Sequence, residues 1–217
     1  MMDIGDNMIT TILFDLDGVL VDACDWHYEA LNKALKKAGY APIEREEHLE
    51  KFNGLPTHVK LEMLGITGDK ANSINRLKQD FTLETIRENA KEMKEKIELH
   101  SWLEEQGIKI GCVTNSIRET AEEMLARTGQ LEFMDILVTN EDVEKNKPHP
   151  DCYNLAIKKL GVDPKTVLCV EDSEKGILAV MHSLAKHLLV VEKTEDVDIN
   201  TFEDFLKGIN YERSCDE

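Results

Sequence analysis

Five short apolar runs rich in β-branched residues constrain this chain most: Met8–Phe14 (MITTILF), Ile108–Val113 (IKIGCV), Ile136–Thr139 (ILVT), Val167–Val170 (VLCV) and His187–Val191 (HLLVV). Runs of this length without alternation read as strands buried on both faces. Helix signals fill the gaps between the later runs. Ser116-Ile117-Arg118-Glu119 fits a capping box that opens an amphipathic helix closed by Gly129. Pro150-Asp151 starts another, with Tyr153, Leu155, Ala156, Ile157 and Leu160 as its apolar positions and Gly161 as its stop. Strand alternating with helix predicts an α/β fold, a mostly parallel sheet with helices on both faces and right-handed crossovers.

One stretch breaks that alternation. From Asp25 to about Lys96 the pattern is helical and no strand-like run occurs. Trp26, Leu31, Leu35 and Ala38 before Gly39 mark a first helix, Val59, Leu61, Met63 and Leu64 before Gly65 a second, and Phe81 to Met93 a third. The expected organisation is a core of residues 1–22 and 97–217, with an all-helical subdomain, residues 23–96, inserted after the first strand. The polar tail after Asn210 is expected to fray.

The charge balance excludes several function classes. With 26 Lys+Arg against 43 Asp+Glu, the net charge of −17 offers no basic field for nucleic acid or an anionic membrane. No apolar run approaches the roughly 18–20 residues that span a bilayer. The first residues carry no basic segment ahead of an apolar one, so no secretory signal is read there and a cytoplasmic location is expected. Cys112 and Cys169 fall inside apolar runs and read as reduced core residues. Trp26 and Trp102 read as core or interface anchors, and the run Glu44–Glu47 as a solvated helix face. The same net charge repels an anionic substrate, so any site for one needs local cations.

In Asp15-Leu16-Asp17-Gly18-Val19 two carboxylates stand two residues apart at the end of a strand, where positions i and i+2 share a face. Gly18 allows a sharp turn straight afterwards, at the carboxyl edge of the sheet where open α/β folds bind ligands. FDLDGVLVD strongly resembles the first motif of the haloacid dehalogenase-like hydrolases, a superfamily dominated by phosphatases with a Rossmann-like core. Three further motifs follow in order, each just past an apolar run: Thr114-Asn115, Lys147 in Lys147-Pro148-His149-Pro150-Asp151, and Glu171-Asp172-Ser173.

The resemblance implies a chemistry. Asp15 is the nucleophile that takes up a phosphoryl group, and Asp17 the general acid and base. Asp15 and Asp172 hold Mg²⁺ with carboxylate oxygens, the Asp17 backbone carbonyl is a further ligand, and Glu171 touches the metal or orients its neighbours. Lys147 supplies fixed positive charge, while Thr114, Asn115 and Gly18 cradle the phosphoryl oxygens. Such a scheme answers the need for local cations, since a carboxylate nucleophile approaches a doubly negative phosphoryl group only when both are neutralised.

An all-helical insertion between the first two motifs resembles the cap of the phosphoglycolate phosphatase and β-phosphoglucomutase branch. His27 occupies a position that is often His there, and Asn53–His58, with Thr57 and His58, resembles the branch's cap specificity loop. Relatives carry Arg near Thr57 or His58; here there is none, and Lys60 or Arg76 are the substitutes within the insertion. Mutases of the branch have Thr after the residue matching Asp22, where this chain has Ala23. A phosphatase of small phosphorylated metabolites is therefore expected ahead of a sugar-phosphate mutase or a noncatalytic relic, and the assembly expected is a monomer or weak homodimer. Asp17 argues against the dehalogenase branch, which lacks that acid. Glu95–His100 replaces the usual linker on the return from the cap, and Ala179–Lys186 lacks the usual Gly.

Overall fold

The computed structural model describes residues 8–52 and 55–213. The signal-sequence reading on Met1–Asn7, the loop residues Asn53 and Gly54, and Cys215 lie outside the described residues. The chain divides into two compact units, residues 1–22 with 91–217, and residues 23–90.

The first unit is built on a fully parallel sheet of five strands, β1 (Thr11–Phe14), β2 (Lys109–Val113), β3 (Ile136–Val138), β4 (Val167–Glu171) and β5 (His187–Val190), in the order β3-β2-β1-β4-β5. All five expected runs are strands. β1 and β4, central in that order, are buried at every residue, while β5 at the edge is only partly covered. The helices are α5 (Lys94–Glu105), α6 (Arg118–Arg127), α7 (Asp151–Leu160), α8 (Glu174–Met181) and α9 (Ile199–Arg213). Alternation along β1 covers both faces of the sheet. Leu13 joins a cluster with Tyr153, Ala156 and Ile157 of α7 and Ala179 and Val180 of α8. Phe14, its neighbour, meets the rings of His100 on α5 and Phe202 on α9 at 5.7 and 5.5 Å between centroids. Burying each such side chain contributes on the order of 2 kcal/mol.

The second unit holds α1 (Cys24–Lys37), a single turn α2 (Arg45–Glu47) running into a π-helical turn (His48–Phe52), α3 (Thr57–Met63) and α4 (Gly68–Asn89). Its core joins Leu31, Ala34 and Leu35 of α1 to Phe52, Leu61, Ile66 and Ile74. The Asn32 side chain clasps the Ile43 peptide from both sides, accepting from its N–H at 2.8 Å and donating to its carbonyl at 2.9 Å. The helix expected over Phe81–Met93 is the second half of α4, which starts at Gly68 and stops at Ala90 because that residue turns to extended backbone.

The return to the first unit falls earlier than residue 97. Lys94 already starts α5, so Glu95–His100 is helix rather than linker. Lys96 is tied to the first unit through the carbonyls of Thr194 and Val197. The C-terminal tail is helical to Arg213, and residues 214–217 lie outside the described residues. Cys112 and Cys169 are buried free thiols, as their apolar runs suggest. No helix of the described residues is long and apolar enough to cross a membrane.

Candidate active site at the carboxyl edge of the sheet

Phe14, the last residue of β1, pairs with Cys112 of β2 and with Val170 of β4. One step further, Asp15 stands level with Val113 and Glu171, and its N–H donates to the Val170 carbonyl at 3.0 Å. The chain builds β2 and β3 on one side of β1 and β4 and β5 on the other. Asp15 is thus at the switch point of the sheet, where ligands of open α/β folds bind.

A tight turn follows. The Leu16 carbonyl accepts from the N–H groups of Leu20 and Val21, and Gly18 N–H donates to the Val21 carbonyl at 2.8 Å. Gly18 has φ +94°, and a Cβ there would lie 2.1 Å from Asp172 Oδ2. Glycine is required twice over, by backbone conformation and by the approach of Asp172.

Lys147 reaches the same place from the segment between β3 and α7. Its Nζ, in a side chain almost wholly buried, donates to Asp15 Oδ1 at 2.5 Å, to Glu171 Oε1 at 2.7 Å and to the Val113 carbonyl at 2.7 Å. Glu171 is fixed in turn: Tyr153 Oη donates to its Oε1 at 2.6 Å and Ser173 Oγ to its Oε2 at 3.3 Å. A Cβ on Gly176 would lie 1.9 Å from the Glu171 carboxyl carbon, so that glycine makes room for it.

Burial raises the pKa of the Asp15 carboxyl, Lys147 opposes that, and Glu171 and Asp17 add to it. Burial also works against the Lys147 ammonium, yet the carboxylates of Asp15 and Glu171 prevail and hold its pKa above the ordinary lysine value. Asp172 is pushed up to about 6, by burial first and by Glu171 next.

β2 delivers the remaining groups. Thr114 is buried, its N–H donating to the Val138 carbonyl and its Oγ1 accepting from Ser116 N–H at 3.0 Å. Asn115 Oδ1 accepts from Lys147 N–H at 3.1 Å, and its Nδ2 donates to the Lys147 carbonyl at 3.2 Å. The expected capping box does not form. Ser116 Oγ donates instead to Asp17 Oδ2 at 3.0 Å, a charge-assisted bond stronger than a neutral cap. Ile117 is the cap position of α6, and the N–H of Arg118 is taken by Glu141 Oε2 at 2.6 Å.

The family model for haloacid dehalogenase-like hydrolases matches residues 12–190. The chain belongs to the haloacid dehalogenase-like hydrolase family. Among its relatives is the pyrophosphatase PpaX of Bacillus velezensis, 31% identical over 80% of this chain and 79% of that protein. Another is the phosphorylated carbohydrates phosphatase of Thermotoga maritima, 28% identical over 77% of this chain and 78% of that one. The crystal structure of β-phosphoglucomutase from Clostridium difficile shares the fold, with a TM-score of 0.74 and 22% identity over 94% of this chain and 100% of that one.

The acidic cluster suits a hard cation. Asp15, Glu171 and Asp172 each offer an oxygen, and the three atoms lie within 4.8 Å of one another. Asp172 Oδ1 is buried and has no hydrogen-bond partner among the described residues. Asp15 and Glu171 share the Lys147 ammonium, and Asp17 adds a fourth carboxylate close enough to act on Asp15. An all-oxygen, electron-rich focus of this kind fits Mg²⁺.

The expected residues of the insertion lie in the second unit. His27 on α1 faces Lys78 on α4, with 3.1 Å between its Nδ1 and the lysine Nζ. Thr57 opens α3, partly covered, and His58 beside it is exposed. Lys60 is buried, 3.5 Å from His48 Nε2, whereas Arg76 is exposed on α4. Burial, with help from Lys60, lowers the His48 pKa to about 4. Arg45, in the expected solvated run, pairs with Asp25.

Sequence reasoning missed Tyr153, Lys78 and the role of Ser116. Tyr153 was read as a core position of α7, which it also is; its place in the first turn after Lys147 was the available signal. Lys78 lies in a polar stretch where nothing distinguishes it from a solvated lysine.

Proposed function

We propose that this hydrolase is a Mg²⁺-dependent phosphatase of a small phosphomonoester, a sugar phosphate, phosphoglycolate or similar metabolite, working through an aspartyl phosphate on Asp15. The observation that carries the reading is the pairing of buried Asp15 with Lys147 at 2.5 Å beside Asp172. A lone nucleophile would not need so costly a set of buried charges.

Asp15 and Asp172, with the Asp17 backbone carbonyl and Glu171 beside them, would hold Mg²⁺, which when bound supplies the positive charge a doubly negative phosphoryl group requires. The Asp15 carboxylate attacks phosphorus; its oxygen–phosphorus bond forms as the ester bond breaks, and Asp17 gives a proton to the leaving oxygen. Water then attacks the same phosphorus, Asp17 takes its proton, and the bond to Asp15 opens to release inorganic phosphate. Lys147 stays cationic throughout and balances charge on the transferring oxygens. The Thr114 hydroxyl and the Asn115 backbone N–H orient those oxygens. Ser116 fixes the Asp17 carboxylate from one side.

Hydrolysis rather than transfer to a second hydroxyl is supported by Ala23, a buried methyl where mutases of the branch carry a hydroxyl. Residues 23–90 act as the cap that selects the substrate, with His27, Thr57 and His58 as its candidate contacts. The enzyme is proposed to work in the cytoplasm, as a monomer or weak homodimer.

A panel of phosphorylated metabolites, with pyrophosphate included because of the PpaX relatives, tests this with Mg²⁺ present. Turnover is expected to release inorganic phosphate and to fall by at least ~10³-fold in Asp15→Asn. Undiminished turnover in that variant overturns the mechanism. Phosphate retained on the product, with a bisphosphate activator required, replaces the phosphatase with a mutase.

A further inference from the structure

The segment 139–150, which carries Lys147, contains no helix or strand. Yet the lysine must present its ammonium to three acceptors at once, Asp15 Oδ1, Glu171 Oε1 and the Val113 carbonyl. Regular structure does not hold its backbone, so something else must.

Asn115 does. Both polar atoms of its amide close on both polar groups of the Lys147 residue, 32 positions away, at 3.1 and 3.2 Å. A two-point contact fixes position and rotation together, which a single hydrogen bond does not. Asn115 itself directly follows Thr114, whose N–H is pinned to the Val138 carbonyl, so the clamp is mounted on the sheet. The side-chain oxygen, an acceptor that would repel phosphate, is spent on the Lys147 N–H. We infer that Asn115 is a positioning residue: its side chain acts on the reacting groups through Lys147 and is not itself a ligand of the phosphoryl group.

This rests on the reading of Lys147 as the fixed cation of a phosphoryl-transfer site. A residue acting through Lys147 must lose its effect when Lys147 is gone, whereas a direct phosphate ligand keeps it. The test is a double-mutant cycle of Asn115→Ala and Lys147→Met in the full chain. It is read as kcat and KM on a substrate from the panel, and separately as inorganic phosphate binding by calorimetry at concentrations that saturate Lys147→Met. Asn115→Ala alone is expected to lower kcat by roughly 10- to 100-fold with KM moved less than about threefold. On the Lys147→Met background it is expected to cost less than about threefold in kcat/KM and less than about twofold in phosphate affinity. Equal losses on both backgrounds overturn the inference. Thermal unfolding checks that each variant folds, and Asn115→Ser, which also lacks the two-point amide, repeats the cycle if Asn115→Ala does not. If the wild type turns over nothing on the panel, the proposed function fails, while the phosphate-binding arm still decides the role of Asn115.

Discussion

Lys147 and Lys96 are both buried in the first unit, 6% and 2% exposed, and their surroundings drive them in opposite directions. Lys147 touches two carboxylates, which overcome the effect of burial and hold its pKa above the ordinary lysine value. Lys96 donates to two backbone carbonyls, of Thr194 at 2.5 Å and Val197 at 2.6 Å. Burial dominates there, with Glu195 and Asp198 opposing it, and lowers the pKa to about 8. Full charges in contact replace the lost hydration of an ammonium; carbonyl dipoles do so only in part. In the proposed mechanism the first lysine is the one that holds its charge during the chemistry. The second staples α5 to the segment after β5, where Thr194 also donates its hydroxyl to the Gly18 carbonyl at 3.2 Å.

The largest effect is expected at Lys147. Lys147→Met leaves Asp15 and Glu171 buried without their cation, a situation that costs on the order of 3–5 kcal/mol. Turnover should fall by ~10³-fold or more, since the charge on the transferring oxygens loses its partner. Urea unfolding and a steady-state assay measure the two losses. Mg²⁺ should restore part of the stability, because a cation among the same carboxylates offsets the same repulsion. A Lys147→Met protein as stable as the wild type in the absence of metal would break the contrast between the two lysines.

Lys96→Met should be milder and of a different kind. Two carbonyls lose their donor, which costs about 1–3 kcal/mol in total after the gain from no longer burying an ammonium. No reacting group loses a contact, so kcat/KM should stay within about threefold of wild type at neutral pH. A large drop in kcat with stability intact would mean that the link through Thr194 to Gly18 reaches the chemistry.

The two lysines also differ in how far the sequence revealed them. Lys147 stands in a Lys-Pro-x-Pro stretch between an apolar run and a helix start, in order with three other motifs, and was legible. Lys96 sits in Glu-Lys-Ile-Glu, indistinguishable from a solvated helix face, and its partners are backbone atoms about a hundred residues away that no side-chain pattern encodes. The same division runs through the fold. All five strands were legible because their burial demands unbroken apolar runs. The length of α4 was not, because its amphipathic pattern is weak and three of its polar residues, Lys78, Thr82 and Thr85, are buried. Ser116 was misread because Ser-x-x-Glu satisfies the capping rule locally, and only the folded chain brings Asp17 close enough to compete.

The smallest effect is a slope in pH, and it tests the comparison most directly. Lys96 has a folded pKa of about 8 against an ordinary value of 10.5. Between these values the unfolded chain holds a proton that the folded chain has released, so stability rises with pH across that window. Below about 8 both states are protonated, above 10.5 neither is, and the contribution is flat. The slope is bounded by about 1.4 kcal/mol per pH unit. Lys147, whose folded pKa is raised, contributes stability that is fully present below the ordinary lysine value and is lost only above it, so it adds no slope inside the window. The buried thiols of Cys112, Cys152 and Cys169, all raised by burial, act with the opposite sign, but they are common to wild type and Lys96→Met and cancel in the difference. Urea midpoints measured from pH 7.5 to 10.5 should therefore show the wild type gaining on Lys96→Met as pH rises. A difference that stays constant would mean that two carbonyls suffice to keep a buried ammonium charged, and the distinction between the two sites would then lie in geometry alone.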